Sequence, residues 1–87
     1  AAEMQKTLSQ YKRMTAMLDF PVKVNDAISK AGTSREQDTP GSQHFHGTAL
    51  DLSIANLSQD QVKRLLVAAK QVGFTGFGFG NSILHVD

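Results

Sequence analysis

There is no cysteine in this chain. That excludes disulfides, iron–sulfur clusters and zinc sites built on thiolates, and it leaves the compartment open, because a disulfide-free protein can work anywhere. No apolar run approaches the roughly 18 residues that a membrane span needs. An excess of one charge is lacking as well: 9 Lys+Arg stand against 8 Asp+Glu, for a net charge of +1. No basic stripe marks a nucleic-acid partner. The opening residues Ala1-Ala2-Glu3-Met4-Gln5-Lys6 lack the pattern of a signal peptide. A leader already removed, or export by another route such as cell lysis, stays open.

What is present is an ordinary globular balance, 40% hydrophobic and 20% charged over 87 residues. The length predicts a single domain spanning 1–87. A domain of this size buries only about 60–65% of the surface that its unfolded chain exposes, so its stability is marginal. A bound metal would help such a fold.

Met4, Leu8, Tyr11, Met14, Thr15 and Leu18 recur at spacings of three and four, which predicts an amphipathic helix of about four turns. Met4 and Met14 of that stripe read as core packing, and Lys6, Gln10, Lys12 and Arg13 as the wet face. Pro21 stops the helix. Pro21 to Asn25 alternates and predicts a short strand. Ala27 to Ala31 reads as a helical turn or as more loop. The residues from Gly32 to Ser42 are rich in Gly, Ser, Thr, Asp and Pro and predict a loop, of a length that is often functional.

Thr48 to Ile54 alternates again. Leu50, Leu52 and Ile54 face the core, and Ala49, Asp51 and Ser53 face the other way. Ser58 and Gln61 form a capping box for a second helix, with Leu57 set to staple onto Val62. Val62, Leu65, Leu66 and Ala69 make its buried stripe, and Gly73 its stop. In the last segment Phe77 and Phe79 share one strand face, expected to pack under the helices. Gly76, Gly78 and Gly80 share the other, where a bare backbone leaves room for something to lie against the sheet. A phosphate-loop reading of this run is weak, since neither a lysine nor a helix start follows. Gly80-Asn81-Ser82 reads as a hairpin turn. In the final strand Leu84 and Val86 face the core, and His85 and Asp87 face the side assigned to Asp51.

His44, Asp51 and His85 therefore converge on one surface. Two imidazoles and one carboxylate suit zinc and leave a fourth tetrahedral position for water. Such a site acidifies water and polarises a carbonyl, so an amide or ester is the natural substrate.

The spacing Ser42-x-His44-x-x-Gly47-x-Ala49-x-Asp51, then a helix, a glycine-rich strand and His85-Val86-Asp87, resembles the D-alanyl-D-alanine carboxypeptidase and hedgehog-type zinc peptidases. The resemblance covers residues 21–87, and the first helix matches the family's leading helix. It implies an α+β fold with a small antiparallel sheet and two helices packed on one face. It also implies zinc bound by His44, Asp51 and His85, and cleavage of peptide bonds in bacterial cell-wall peptides.

The chain departs from the family pattern in three places. Many members carry an Arg just after the first strand to hold substrate. Here that segment is Asp26-Ala27-Ile28-Ser29, and Arg35 is the nearby substitute. Many carry an acidic general base three residues before the last zinc His. Here that position is Ser82, whose hydroxyl does not titrate near neutrality. Family domains also commonly continue past His-Val-Asp, which suggests a trimmed product or a minimal module. Asp87 is then the replacement base, or else a carboxylate that steadies a metal-bound imidazole. His46 is a further candidate for the transition state or for steering substrate, against the alternative of a solvated loop histidine. Ser42 steadies the loop before His44 or contacts substrate.

The resulting expectation is a zinc metallopeptidase acting on peptidoglycan stem peptides, as a carboxypeptidase or an endopeptidase. It would work outside the cytoplasm, in the periplasm, the cell wall or a phage virion. The alternative is a wall-binding or structural module, such as part of a phage tail, that keeps the fold without the chemistry.

Overall fold

The computed structural model describes residues 2–28 and 49–87. Helix α1 (Ala2–Ala16) is followed by strand β1 (Val24–Ile28), strand β2 (Ala49–Ser53), helix α2 (Gln59–Gln71), strand β3 (Phe77–Gly80) and strand β4 (Ile83–Val86). The four strands form one antiparallel sheet in the order β1-β2-β4-β3. This is the expected α+β architecture.

The two helices pack on the sheet face that carries Leu50, Leu52, Leu84 and Val86, all buried. Met14 of α1 and Leu65, Ala68 and Ala69 of α2 close that core, with Val22, Ala27, Val72 and Phe74 around them. Each large side chain so buried contributes about 1.5–3 kcal/mol relative to exposure. A sheet covered on one face leaves the other available for chemistry. No described helix is long and apolar enough to cross a membrane.

Helix α2 begins as the sequence predicts. The Ser58 hydroxyl accepts from the Gln61 backbone at 3.1 Å, and the Ser58 N–H donates to the Gln61 side chain at 2.9 Å. It ends at Gly73, whose φ of +105° an L side chain would strain to adopt. Its buried positions are Leu65, Ala68 and Ala69, whereas Val62 and Leu66 are half-covered. The core stripe is thus rotated slightly from the predicted one.

Three further expectations are corrected. Gln10 is buried rather than wet, at 7% exposure. Its amide nitrogen donates to the Val72 carbonyl at 3.0 Å, and Arg13 donates to the same oxygen at 3.1 Å. That oxygen closes the end of α2, where carbonyls lack partners within the helix. The first strand runs over Val24–Ile28 instead of 21–25, so Ala27 and Ile28 are strand and not helix or loop. Phe79 is 62% exposed: β3 is an edge strand, and while Phe77 packs against the core, Phe79 borders an open hollow beside Val62 and Leu66 of α2. The predicted loop from Gly32 to Ser42 lies outside the described residues.

Strand β1 carries a bulge. Val24 pairs with Leu52, yet Asp26 pairs with Asp51, so an extra residue is accommodated at Asn25. In an unbroken strand Val24 and Asp26 would share a face. The bulge lets Val24 pack on the core while Asp26 turns to the open side.

Candidate metal centre

The register of the sheet decides which polar side chains meet. Asp51 of β2 stands opposite His85 of β4, and His85 stands opposite Gly78 of β3. Asp26 continues the row on the other side of Asp51. One line across the open face therefore reads Asp26, Asp51, His85, Gly78. Directly opposed residues of an antiparallel pair have their Cβ atoms close enough for side-chain contact.

That contact is made. His85 Nδ1 lies 2.9 Å from Asp51 Oδ1, and His85 Nε2 lies 3.1 Å from Asp87 Oδ2. A carboxylate oxygen accepts only, so both bonds together need the doubly protonated imidazolium. The titration follows from this. Partial burial pushes the His85 pKa down, but the hydrogen bonds to Asp51 and Asp87, and the charges of both, outweigh it. The ring stays protonated above its ordinary value of 6.5. Side-chain exposure rises from 25% at Asp51 to 34% at His85 and 53% at Asp87. The trio is anchored in the sheet at one end and open to solvent at the other.

The donor set fits part of a zinc site. Two ligands of a tetrahedral zinc with bonds of 2.0–2.1 Å stand about 3.3 Å apart. Asp51 Oδ1 and His85 Nδ1 are a few tenths of an ångström closer than that, as expected of a pair holding a proton between them. A cation in place of that proton would leave Nε2–H donating to Asp87, the usual arrangement of a metal-bound histidine and its outer carboxylate. Among the described residues no group of three or more His, Asp, Glu or Cys is arranged to hold a metal. The third implied ligand, His44, lies outside the described residues, as do Arg35, Ser42 and His46.

The residue-78 side of the site is open. A Cβ built on Gly78 would meet nothing within 4 Å. A cleft of about 290 Å³ adjoins Asp87 and is bounded by Lys6, Thr7, Gln10 and Thr75. A larger hollow of about 580 Å³ beside Met17, Arg64 and Val67 lies against the helices, away from the Asp51–His85 pair.

A model of the family described as Peptidase M15 matches residues 1–87. The chain belongs to the peptidase M15 family. This is the zinc D-alanyl-D-alanine carboxypeptidase and hedgehog-type group that the sequence resembles. M15 membership suggests a metallopeptidase, and peptidases of this family are generally zinc-dependent. No curated protein and no solved structure matches the chain significantly.

For an M15 chain, two features of the site are not legible in the local sequence. Asp26 falls after the predicted strand, because the alternation that runs through Asn25 would put it on the core face with Val22 and Val24. Only the bulge puts it beside Asp51. Gly76 was grouped with the other open-face glycines, although its surroundings differ from theirs. The signal available is its place just before a strand whose partner leads into His85-Val86-Asp87.

Proposed function

We propose that this protein is a zinc-dependent peptidase that hydrolyses amide bonds in the stem peptides of bacterial peptidoglycan. The observation that carries the reading is the Asp51–His85 pair, 2.9 Å apart on the uncovered sheet face of an M15 chain. The proposed metal ligands are His44, Asp51 and His85. Bound zinc would supply Lewis acidity to the scissile carbonyl.

The chain's own residues do the rest. Asp51 is held from a central strand, so its carboxylate is aimed by the sheet rather than by a loop. Asp87 accepts from His85 Nε2, which fixes the ring and keeps Nδ1 turned to Asp51. This position favours Asp87 as an orienting carboxylate. To act as a base it would have to leave that bond. His46 remains the proposed second catalytic side chain, and Arg35 and Ser42 the proposed substrate contacts. Gly78 leaves space beside His85 where an extended peptide can lie against the sheet. A wall substrate puts this work in the periplasm, the cell wall or a virion, which we propose as its location.

The test is zinc content by elemental analysis, followed by assay of amide cleavage on purified wall with and without chelator. One zinc per chain with chelator-sensitive cleavage is expected. A folded protein that takes up no zinc and cleaves nothing would overturn the proposal. Stoichiometric zinc with wall binding but no cleavage would leave a binding module in its place.

A further inference from the structure

The three glycines of the open face are not equivalent. A Cβ on Gly78 would meet nothing within 4 Å, and one on Gly80 only Ile83 Cβ at 3.9 Å. A Cβ on Gly76 would overlap Asp87 Oδ1 outright and stand 2.7 Å from Asp87 Cγ and 3.0 Å from Oδ2. Side-chain carbons do not approach so closely.

The backbone at Gly76 does not itself require glycine. Gly73 is the only described glycine with a positive φ. An alanine at 76 is therefore conformationally acceptable, and the cost of a side chain there falls on the carboxylate alone. The main chain of residue 87 cannot retreat easily. Asp87 N–H donates to the Gly76 carbonyl at 2.9 Å, and the Asp87 carbonyl accepts from Thr75 at 2.8 Å and Gly76 at 3.1 Å. With both backbones pinned, the movable part is the carboxylate that bonds His85 Nε2 at 3.1 Å.

We infer that Gly76 is the seat of the Asp87 carboxylate, a positioning residue whose missing side chain lets Asp87 reach and orient His85. The chain of effect runs from position 76 to Asp87, from Asp87 to the His85 ring, and from the ring to whatever Nδ1 binds. It also assigns different duties to neighbouring glycines: Gly76 serves the histidine, and Gly78 serves access.

The inference rests on the zinc-site reading for its functional consequence, but its first test needs no metal. In the metal-free 87-residue chain, the ring-nitrogen NMR signals of His85 report the Nε2 hydrogen bond. Gly76→Ala should move them to where Asp87→Ala moves them, while Gly78→Ala leaves them in place. Unchanged His85 signals in Gly76→Ala would overturn the seat, whatever zinc does. If wild-type protein binds zinc, Gly76→Ala should weaken it about 10- to 100-fold, the range for loss of an outer carboxylate partner. The Gly76→Ala/Asp87→Ala double variant should then bind no more weakly than Asp87→Ala alone. Losses that add in full would overturn the inference. If wild type binds no zinc, the zinc-site reading fails and the NMR comparison still decides the seat. Should Gly76→Ala fail to fold, the double variant decides: recovery shows the collision is with the carboxylate, and continued unfolding shows it is with the backbone and overturns the proposal.

Discussion

Asp51 and His85 are direct cross-strand partners, 34 residues apart in sequence and 2.9 Å apart at Oδ1 and Nδ1. The contact depends on the pairing of β2 with β4 and on nothing local. A slip of one residue in that register would turn one partner into the core.

Asp51→Asn tests the carboxylate with almost no change in shape. A neutral amide is a poor zinc ligand, so zinc affinity should fall by at least about tenfold. Far-ultraviolet circular dichroism should be unchanged, since Asp51 faces away from the core. Isothermal titration with zinc checks it. Wild-type affinity in the variant would remove Asp51 from the ligand set.

The metal-free protein should depend on pH in a defined direction. His85 is more basic in the folded chain than in the unfolded one, where its value is near 6.5. The stabilisation is therefore full below about pH 6.5, as long as the aspartates stay ionised, and it is lost as pH rises through the higher folded value. Urea midpoints between pH 5.5 and 8.5 should fall with pH, and His85→Ala should flatten the curve. A midpoint that rises over this range would contradict the hydrogen-bonded imidazolium.

Zinc should stabilise the fold through mass action. At a free zinc concentration 100 times its dissociation constant the gain is about 2.7 kcal/mol. In a domain of this size that is about 10–20 °C in melting temperature. Chelator should reverse the shift, and His85→Ala should abolish it. The readout is a thermal melt in three conditions: metal-free, zinc-loaded and zinc-loaded with chelator.

The α2 cap provides a prediction about stability alone. Ser58→Ala removes the acceptor for the Gln61 N–H and should cost about 1 kcal/mol. Ser58 is remote from the open-face row, so zinc affinity per folded molecule should not change. A matching loss of zinc affinity would mean that the helix start and the site are coupled.

Two phenylalanines five residues apart should behave oppositely. Phe74 is 3% exposed, and Phe74→Ala should cost about 3–5 kcal/mol. Phe79 is 62% exposed, and Phe79→Ser should stay within about 0.5 kcal/mol. Denaturant midpoints of the two variants, measured side by side, check the assignment of the edge.

Elements written in local spacing were legible. The Ser58–Gln61 box and Gly73 mark both ends of α2 because caps depend on residues three or four apart. Alternation in 83–87 put His85 and Asp87 on one face, since the strand period is two. Gln10 departs from its expected wet face because helix periodicity says which face a residue occupies and not what else packs there. A polar side chain can be buried when a carbonyl such as that of Val72 awaits it. Phe79 departs from expectation for the converse reason: an alternating strand does not reveal that it lies on the edge of the sheet.

By itself the sequence determined the α+β class, the family, and the face that Asp51, His85 and Asp87 share, because each rests on periods and spacings within a few residues. Only the tertiary structure decided that Asp51 meets His85, that a bulge at Asn25 turns Asp26 towards them, and that Gly76 makes room for Asp87. Those relations are set by strand order and register, and pairing between distant segments is settled by burial of the whole core, which no local stretch of chain contains.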